Sequence, residues 1–127
     1  MATITAYHGT VTDYDGFPQA HTCSWGLHGI YLSEVKKVAK SFAELSAQCR
    51  NDGRPRIFEA RVDISDALDL SATEMDIEEL IDTANNSDAP VIILPDLTGT
   101  GEREILVVNP LAAKWTACHN LNPCLRK

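Results

Sequence analysis

No apolar run in this 127-residue chain approaches the roughly 20 residues that a membrane-spanning helix requires, so no bilayer partner is expected. Aromatic side chains are scarce, at 6%, which leaves few rings for a core or a binding slot and makes the position of each informative. Paired CxxC spacing is absent, and with no export signal recognised Cys23, Cys49, Cys118 and Cys124 read as free thiols. His21, Cys23, Cys118, His119 and Cys124 are ligand types, but without that pairing no metal is expected. Met1-Ala2-Thr3-Ile4 lacks a basic segment followed by an apolar one, so a cytoplasmic location with reduced thiols is expected. Basic residues are also in short supply: 11 Lys and Arg stand against 18 Asp and Glu, a formal net charge of −7. An acidic surface repels phosphate backbones, which disfavours nucleic acid and leaves solubility or a basic protein partner as its purpose.

What is present suffices for one core. With 44% hydrophobic residues the chain reads as a single domain over 1–127, with no repeat, low-complexity tract or linker. Residues 3–8 alternate as an opening strand that Gly9-Thr10 is expected to stop. Residues 11–28, with Gly16, Pro18 and Gly26, read as an irregular loop. Gly29 permits close backbone approach, 29–33 read as a strand, and Ser33 is a good N-cap for a helix over about 34–48. Val35, Val38, Ala39, Phe42 and Leu45 form its apolar face.

After a break at 51–55, residues 57–64 alternate most clearly of all. Phe58, Ala60, Val62 and Ile64 share one face; Glu59, Arg61 and Asp63 share the other. Ser71 with Glu74 is read as a capping box opening a helix that carries Met75, Leu80, Ile81 and Ala84 and stops at 85–88. Residues 91–94 form a buried strand and 96–101 a flexible loop of turn formers. Residues 104–108 form the last clear strand, and the tail from Leu111 fits a short helix or a strand. Strands in runs with isolated helices, without βαβ alternation, predict an α+β fold on a bent, mostly antiparallel sheet.

Chemistry-bearing groups fall at the predicted strand ends: His8 before Gly9, Tyr31 in the second strand, and Glu104 after a glycine-rich loop. Tyr31 and Phe42 lie eleven residues apart, on a strand and the helix it feeds. That spacing suits either ordinary core packing or a slot for a flat heterocycle. A histidine, a bare backbone at Gly9, an aromatic slot and one carboxylate suit an amide-bearing heterocycle joined to a sugar.

Three segments then coincide with a known pattern: Tyr7-His8-Gly9-Thr10; Gly29-Ile30-Tyr31-Leu32-Ser33 with Phe42; and Glu104-Ile105-Leu106-Val107-Val108. In their order and placement they resemble the His-Tyr-Glu signature of the ADP-ribosyltransferases of diphtheria-toxin and poly(ADP-ribose) polymerase type. The match covers about a third of the chain. Its small size is similar to that of phage- or mobile-element-encoded members, which include an anti-CRISPR protein. The resemblance implies a split β-sheet, NAD as co-substrate, no metal, and mono-ADP-ribosylation of a protein. His8 would bind the adenosine ribose, and the Gly9 backbone, beside Thr10, would hold the carboxamide. Tyr31 and Phe42 would stack on nicotinamide, although Phe42 lacks the hydroxyl of the tyrosine often found there. Glu104 would bind the nicotinamide ribose and stabilise the positive charge that develops as its glycosidic bond breaks. Glu102 stands where arginine-modifying relatives carry a second glutamate, and it and the 96–101 loop are the acceptor-facing candidates; those relatives usually start with Arg in place of His8. Lys36, Lys37, Lys40 and the 11–28 loop are the candidate suppliers of charge or backbone donors for the pyrophosphate. The alternatives are an NAD glycohydrolase, a turnover-deficient module that blocks a basic partner, and chemistry on a nucleic acid.

Overall fold

The alternation at 57–64 is realised in a longer strand. In the computed structural model, which describes residues 2–12, 18, 21–22, 26–50 and 54–120, β4 runs Arg54–Asp63. It buries Phe58, Ala60 and Val62 and turns Glu59, Arg61 and Asp63 to the more open side. Arg54 and Pro55 belong to this strand and not to a break; 51–53 lie outside the described residues. Pro55 shares the parity of Ile57, whose backbone points away from the preceding strand, so its missing N–H costs that pairing nothing.

That neighbour, β1, runs Thr3–Thr12 and does not stop at Gly9. Pairing is continuous from Thr3 opposite Asp63 to Thr12 opposite Arg54, so His8 lies mid-strand and not at its end. Gly9 is there to admit a helix: a Cβ on it would lie 1.7 Å from the Ala39 carbonyl oxygen. The helix is α1, Lys36–Arg50, which starts two residues later than the spacing predicts. Ser33 is still held in strand pairing, and its hydroxyl accepts from the Val35 N–H at 3.1 Å. The five-residue apolar face is not one core face. Ala39 and Ala43 are buried, because only small side chains fit so close to β1, while Phe42 and Leu45 face solvent.

The remaining strands are β2 (His21–Thr22), β3 (His28–Leu32), β5 (Leu68–Asp69), β6 (Val91–Leu94), β7 (Glu104–Val107) and β8 (Ala113–Asn120). Gly29 has φ 154°, and a Cβ there would come within 2.7 Å of the Val107 carbonyl oxygen, the close approach expected of it. β8 resolves the tail: after a single 3-10 turn at Pro110–Ala112 it pairs with β4. Glu104 therefore opens the penultimate strand and not the last. The result is α+β, with two helices and two mostly antiparallel open sheets, ordered β1-β4-β8 and β2-β3-β7-β6-β5. The parallel β5–β6 pair had no counterpart in the sequence pattern. Ala6, Ile30, Leu32, Ala60, Val62, Ile105 and Val107 pack into one core. A second core lies beneath α2, Ile77–Asn85.

The helix α2 begins six residues after Ser71. Asp69 Oδ1 captures the Ser71 N–H and hydroxyl at 2.9 and 2.6 Å, so Ser71 is tied into a turn. The N-cap is Asp76, whose carboxylate accepts from the Glu79 N–H at 2.9 Å, and Glu78 and Glu79 complement the positive end of the helix dipole. Thermal unfolding should separate these readings: Asp76→Ala is expected to cost about 1 kcal/mol and Ser71→Ala distinctly less. Gly9→Ala, which drives a methyl group into the α1 backbone, should cost at least about 3 kcal/mol or prevent folding.

Candidate functional site

Among the described residues one bridging pair joins the backbone ladders of the two sheets. Tyr7 N–H donates to the Ser33 carbonyl at 2.7 Å, and Ser33 N–H donates back to the Tyr7 carbonyl at 2.8 Å. Both backbone groups of Tyr7 thus point away from β4, and the alternation of an antiparallel ladder sends those of Gly9 to the same edge. Beyond this bridge the β1–β3 ladder does not continue. Instead His8 Nδ1 meets the Tyr31 carbonyl oxygen at 2.6 Å. A carbonyl only accepts, so Nδ1 carries the proton in this contact.

Strand alternation sorts the side chains around this seam. Tyr7 and Gly9 on β1, Tyr31 and Ser33 on β3, and Glu104 and Leu106 on β7 share one face; α1 covers it at Gly9 and α2 at Leu106. Tyr31 is directly opposite Leu106, and extending the Leu32–Ile105 register brings Ser33 opposite Glu104. Tyr31 and Glu104 are therefore diagonal neighbours, about 7–8 Å apart at the backbone. His8 belongs to the opposite face of β1, with Ala6, and joins the group through the edge of the seam. Phe42 is on α1, 41% exposed, and makes no ring contact among the described residues.

Glu104 is only 9% exposed. Its Oε2 accepts from the Leu97 N–H, the Thr98 N–H and the Thr98 hydroxyl at 3.1, 3.1 and 3.0 Å. Among the described residues no hydrogen bond reaches Oε1. Burial pushes the carboxyl above its ordinary value, and the bonds from Thr98 and Leu97 oppose that without cancelling it.

The 96–101 segment is not a loose loop. Asp96 gathers the amides of Gly99, Thr100 and Gly101 at 2.8, 3.0 and 2.7 Å, and the Gly101 amide foremost holds its carboxyl below the usual range. Glu102 is exposed at the end of this loop, consistent with a solvent-facing position. Arg103 grips Glu34 through two bonds of 2.6 and 3.1 Å, tying the approach to β7 to the approach to α1. Arg103 and Glu34 escape a reading based on strand-end motifs, while Asp96 and Thr98 lie in the 96–101 loop expected to face an acceptor, where Thr98 bonds Glu104 and Asp96 closes the loop. The one available signal was the Asp96-Leu97-Thr98-Gly99 sequence, whose Asp and Thr types bind nearby amides.

The other candidates are dispersed. Lys36, Lys37 and Lys40 are exposed on α1, and Thr10 continues β1 past Gly9. Cys118 is an exposed free thiol and His119 lies 3.4 Å from Glu59, while Cys23 and Cys124 and the His21 side chain lie outside the described residues. Among the described residues no group of three His, Cys, Asp or Glu side chains could hold a metal ion. No described helix is long and apolar enough to cross a membrane. Compared with protein-family models and with curated proteins, the chain matches none.

The raised Glu104 carboxyl has a signed consequence. Its contribution to stability is complete below the ordinary value of 4.5 and is lost as pH rises through the higher folded value. Asp63, held low chiefly by Ser65, and Asp69, held low chiefly by Ser71, act in the opposite sense and lose their contribution on acidification. The wild type minus Glu104→Gln difference isolates the first effect. At neutral pH the variant is expected to melt at or above the wild-type temperature, with the gap closing below pH 4.5. A variant that melts well below wild type at pH 7 would show that the ionised carboxylate is stabilising.

Proposed function

We propose that the protein is an NAD-dependent mono-ADP-ribosyltransferase that modifies a protein, on an ADP-ribosyltransferase-like split sheet. The observation that supports this reading is the seam: the His8 imidazole on the Tyr31 carbonyl and the Gly9 edge lie beside the Tyr7–Ser33 bridge, one register step from the buried Glu104 carboxylate, which shares a face with Tyr31. The unpaired ladder edge at Gly9 fits a carboxamide, which needs one donor and one acceptor side by side. Tyr31 supplies a flat apolar surface for nicotinamide, and the exposed ring of Phe42 stands on the helix over the same face.

In this reading NAD is consumed. The bond between C1′ of the ribose and the pyridinium nitrogen breaks, and nicotinamide leaves with the bonding pair as a neutral base. A nucleophilic side chain of the acceptor then bonds to C1′ and gives up its proton. Glu104 does two things at once. Its negative charge, little screened at 9% exposure, stabilises the cationic ribose, and Oε1 accepts from a ribose hydroxyl to fix the sugar. His8, anchored through Nδ1 at the seam, is the residue this reading assigns to the adenosine ribose. Glu102, exposed two residues away, faces the acceptor.

Purified protein given NAD and a lysate of its source cells should release nicotinamide and label an acceptor by one ADP-ribose. Glu104→Gln should lower both by about 100-fold or more, while the variant keeps its fold. Equal activity in wild type and Glu104→Gln would reject the mechanism, whereas nicotinamide release without a labelled acceptor would leave an NAD glycohydrolase.

A second reading has one observation in its favour. Between Arg61 and Arg103 the chain holds no Lys or Arg, and the charged residues of α2 (Glu78, Glu79 and Asp82) are all acidic and exposed. Such a face suits a basic protein, bound either as acceptor or as the target of a module without turnover. Stoichiometric inhibition of a captured basic partner that survives Glu104→Ala would favour the module.

A further inference from the structure

The grip on Glu104 is one-sided. Three donors fall on Oε2 and two of them, an amide and a hydroxyl, belong to Thr98. The other contacts of the loop close it on either side of Thr98. Asp96 closes the loop by accepting from Gly99, Thr100 and Gly101, and the Thr100 hydroxyl accepts from the Glu102 N–H at 3.3 Å. On the far side, the two-bond Arg103–Glu34 contact pins the residue before Glu104 to the end of β3. Oε2 is saturated, whereas Oε1 is not among the buried atoms left without a partner and stays open to solvent or to a ligand.

We infer that Thr98 is a positioning residue: its hydroxyl, set by the Asp96-closed loop, locks the Glu104 carboxylate so that Oε1 alone is presented to a ligand hydroxyl. This deepens the proposed function and rests on it for the identity of the ligand, a ribose. Thr98 touches no reacting atom. With the hydroxyl in place the carboxylate plane is fixed by donors on two sides of Oε2. Without it the two amides still hold that oxygen, but the group can turn about its Cγ–Cδ bond and Oε1 loses its aim. The ionised form also loses a donor, so the carboxyl should hold its proton to higher pH.

Thr98→Val tests this because it keeps shape and backbone amides and removes only the hydroxyl. Two measurements are needed. The first is the titration of the Glu104 side-chain carboxyl by carbon-detected NMR on the protein alone, which requires no turnover. Its midpoint should move upward in Thr98→Val and return in Thr98→Ser. The second is NAD cleavage, where Thr98→Val should lower kcat about tenfold with KM little changed, and Thr98→Ser should restore it. An unmoved Glu104 midpoint in folded Thr98→Val overturns the inference whatever the protein catalyses. If the midpoint moves while wild type and Glu104→Gln cleave NAD alike, the positioning role stands and the transferase reading falls. Should Thr98→Val fail to fold, Asp96→Asn offers the same two readouts, with an unchanged carboxyl midpoint and kcat counting against the role of the loop.

Discussion

One pair of backbone hydrogen bonds, between Tyr7 and Ser33, governs the arrangement of this protein. Without it β1 belongs to one sheet and β3 to another, their placement left to the shared core of Ala6, Ile30, Leu32 and Ala60 and to the His8–Tyr31 contact. Because the pairing is a single bridge and not a ladder, it joins the sheets and leaves their edges unzipped one residue later. Unsatisfied backbone groups at such a split cost energy in a core. The imidazole of His8 meets one of them, the Tyr31 carbonyl. Those of Gly9 point to the same edge as the groups of Tyr7, the edge that the proposed function assigns to a carboxamide.

Glu104 stands one register step from that bridge, and its energetics run against stability. Burial of a carboxylate is unfavourable, and three donors on one oxygen only partly offset it. The chain invests much of its loop chemistry here: Asp96 folds the loop that supplies two donors from Thr98, and Arg103 and Glu34 brace the other side. A group that is raised in energy, oriented and left with an open oxygen is the usual form of a site held ready for a ligand.

The helices show which local signals were decisive. The pattern Ser71–Glu74 and the pattern Asp76–Glu79 are equivalent as strings. Only the second caps α2, because Asp69 has already taken the hydroxyl and amide of Ser71. The apolar stripe of α1 likewise mixes two destinies. Ala39 and Ala43 are buried against β1, whereas Phe42 and Leu45 remain outside, since the near contact at Gly9 leaves no room for large side chains. Gly9 itself looked like a strand breaker and is instead the place where helix and strand touch.

By itself the sequence determined the strand periodicities, the α+β class, the order of the three motif segments and the acidic balance, because each depends on residues within a turn or two of one another. It marked His8, Tyr31 and Glu104 as worth attention for their chemistry and position. Only the tertiary structure decided that Tyr31 and Glu104 share a face, that His8 reaches them from the other side, and that Thr98 holds the carboxylate. Those relations depend on register and on contacts between distant segments, and a slip of one residue in either strand would send the same side chains to opposite faces.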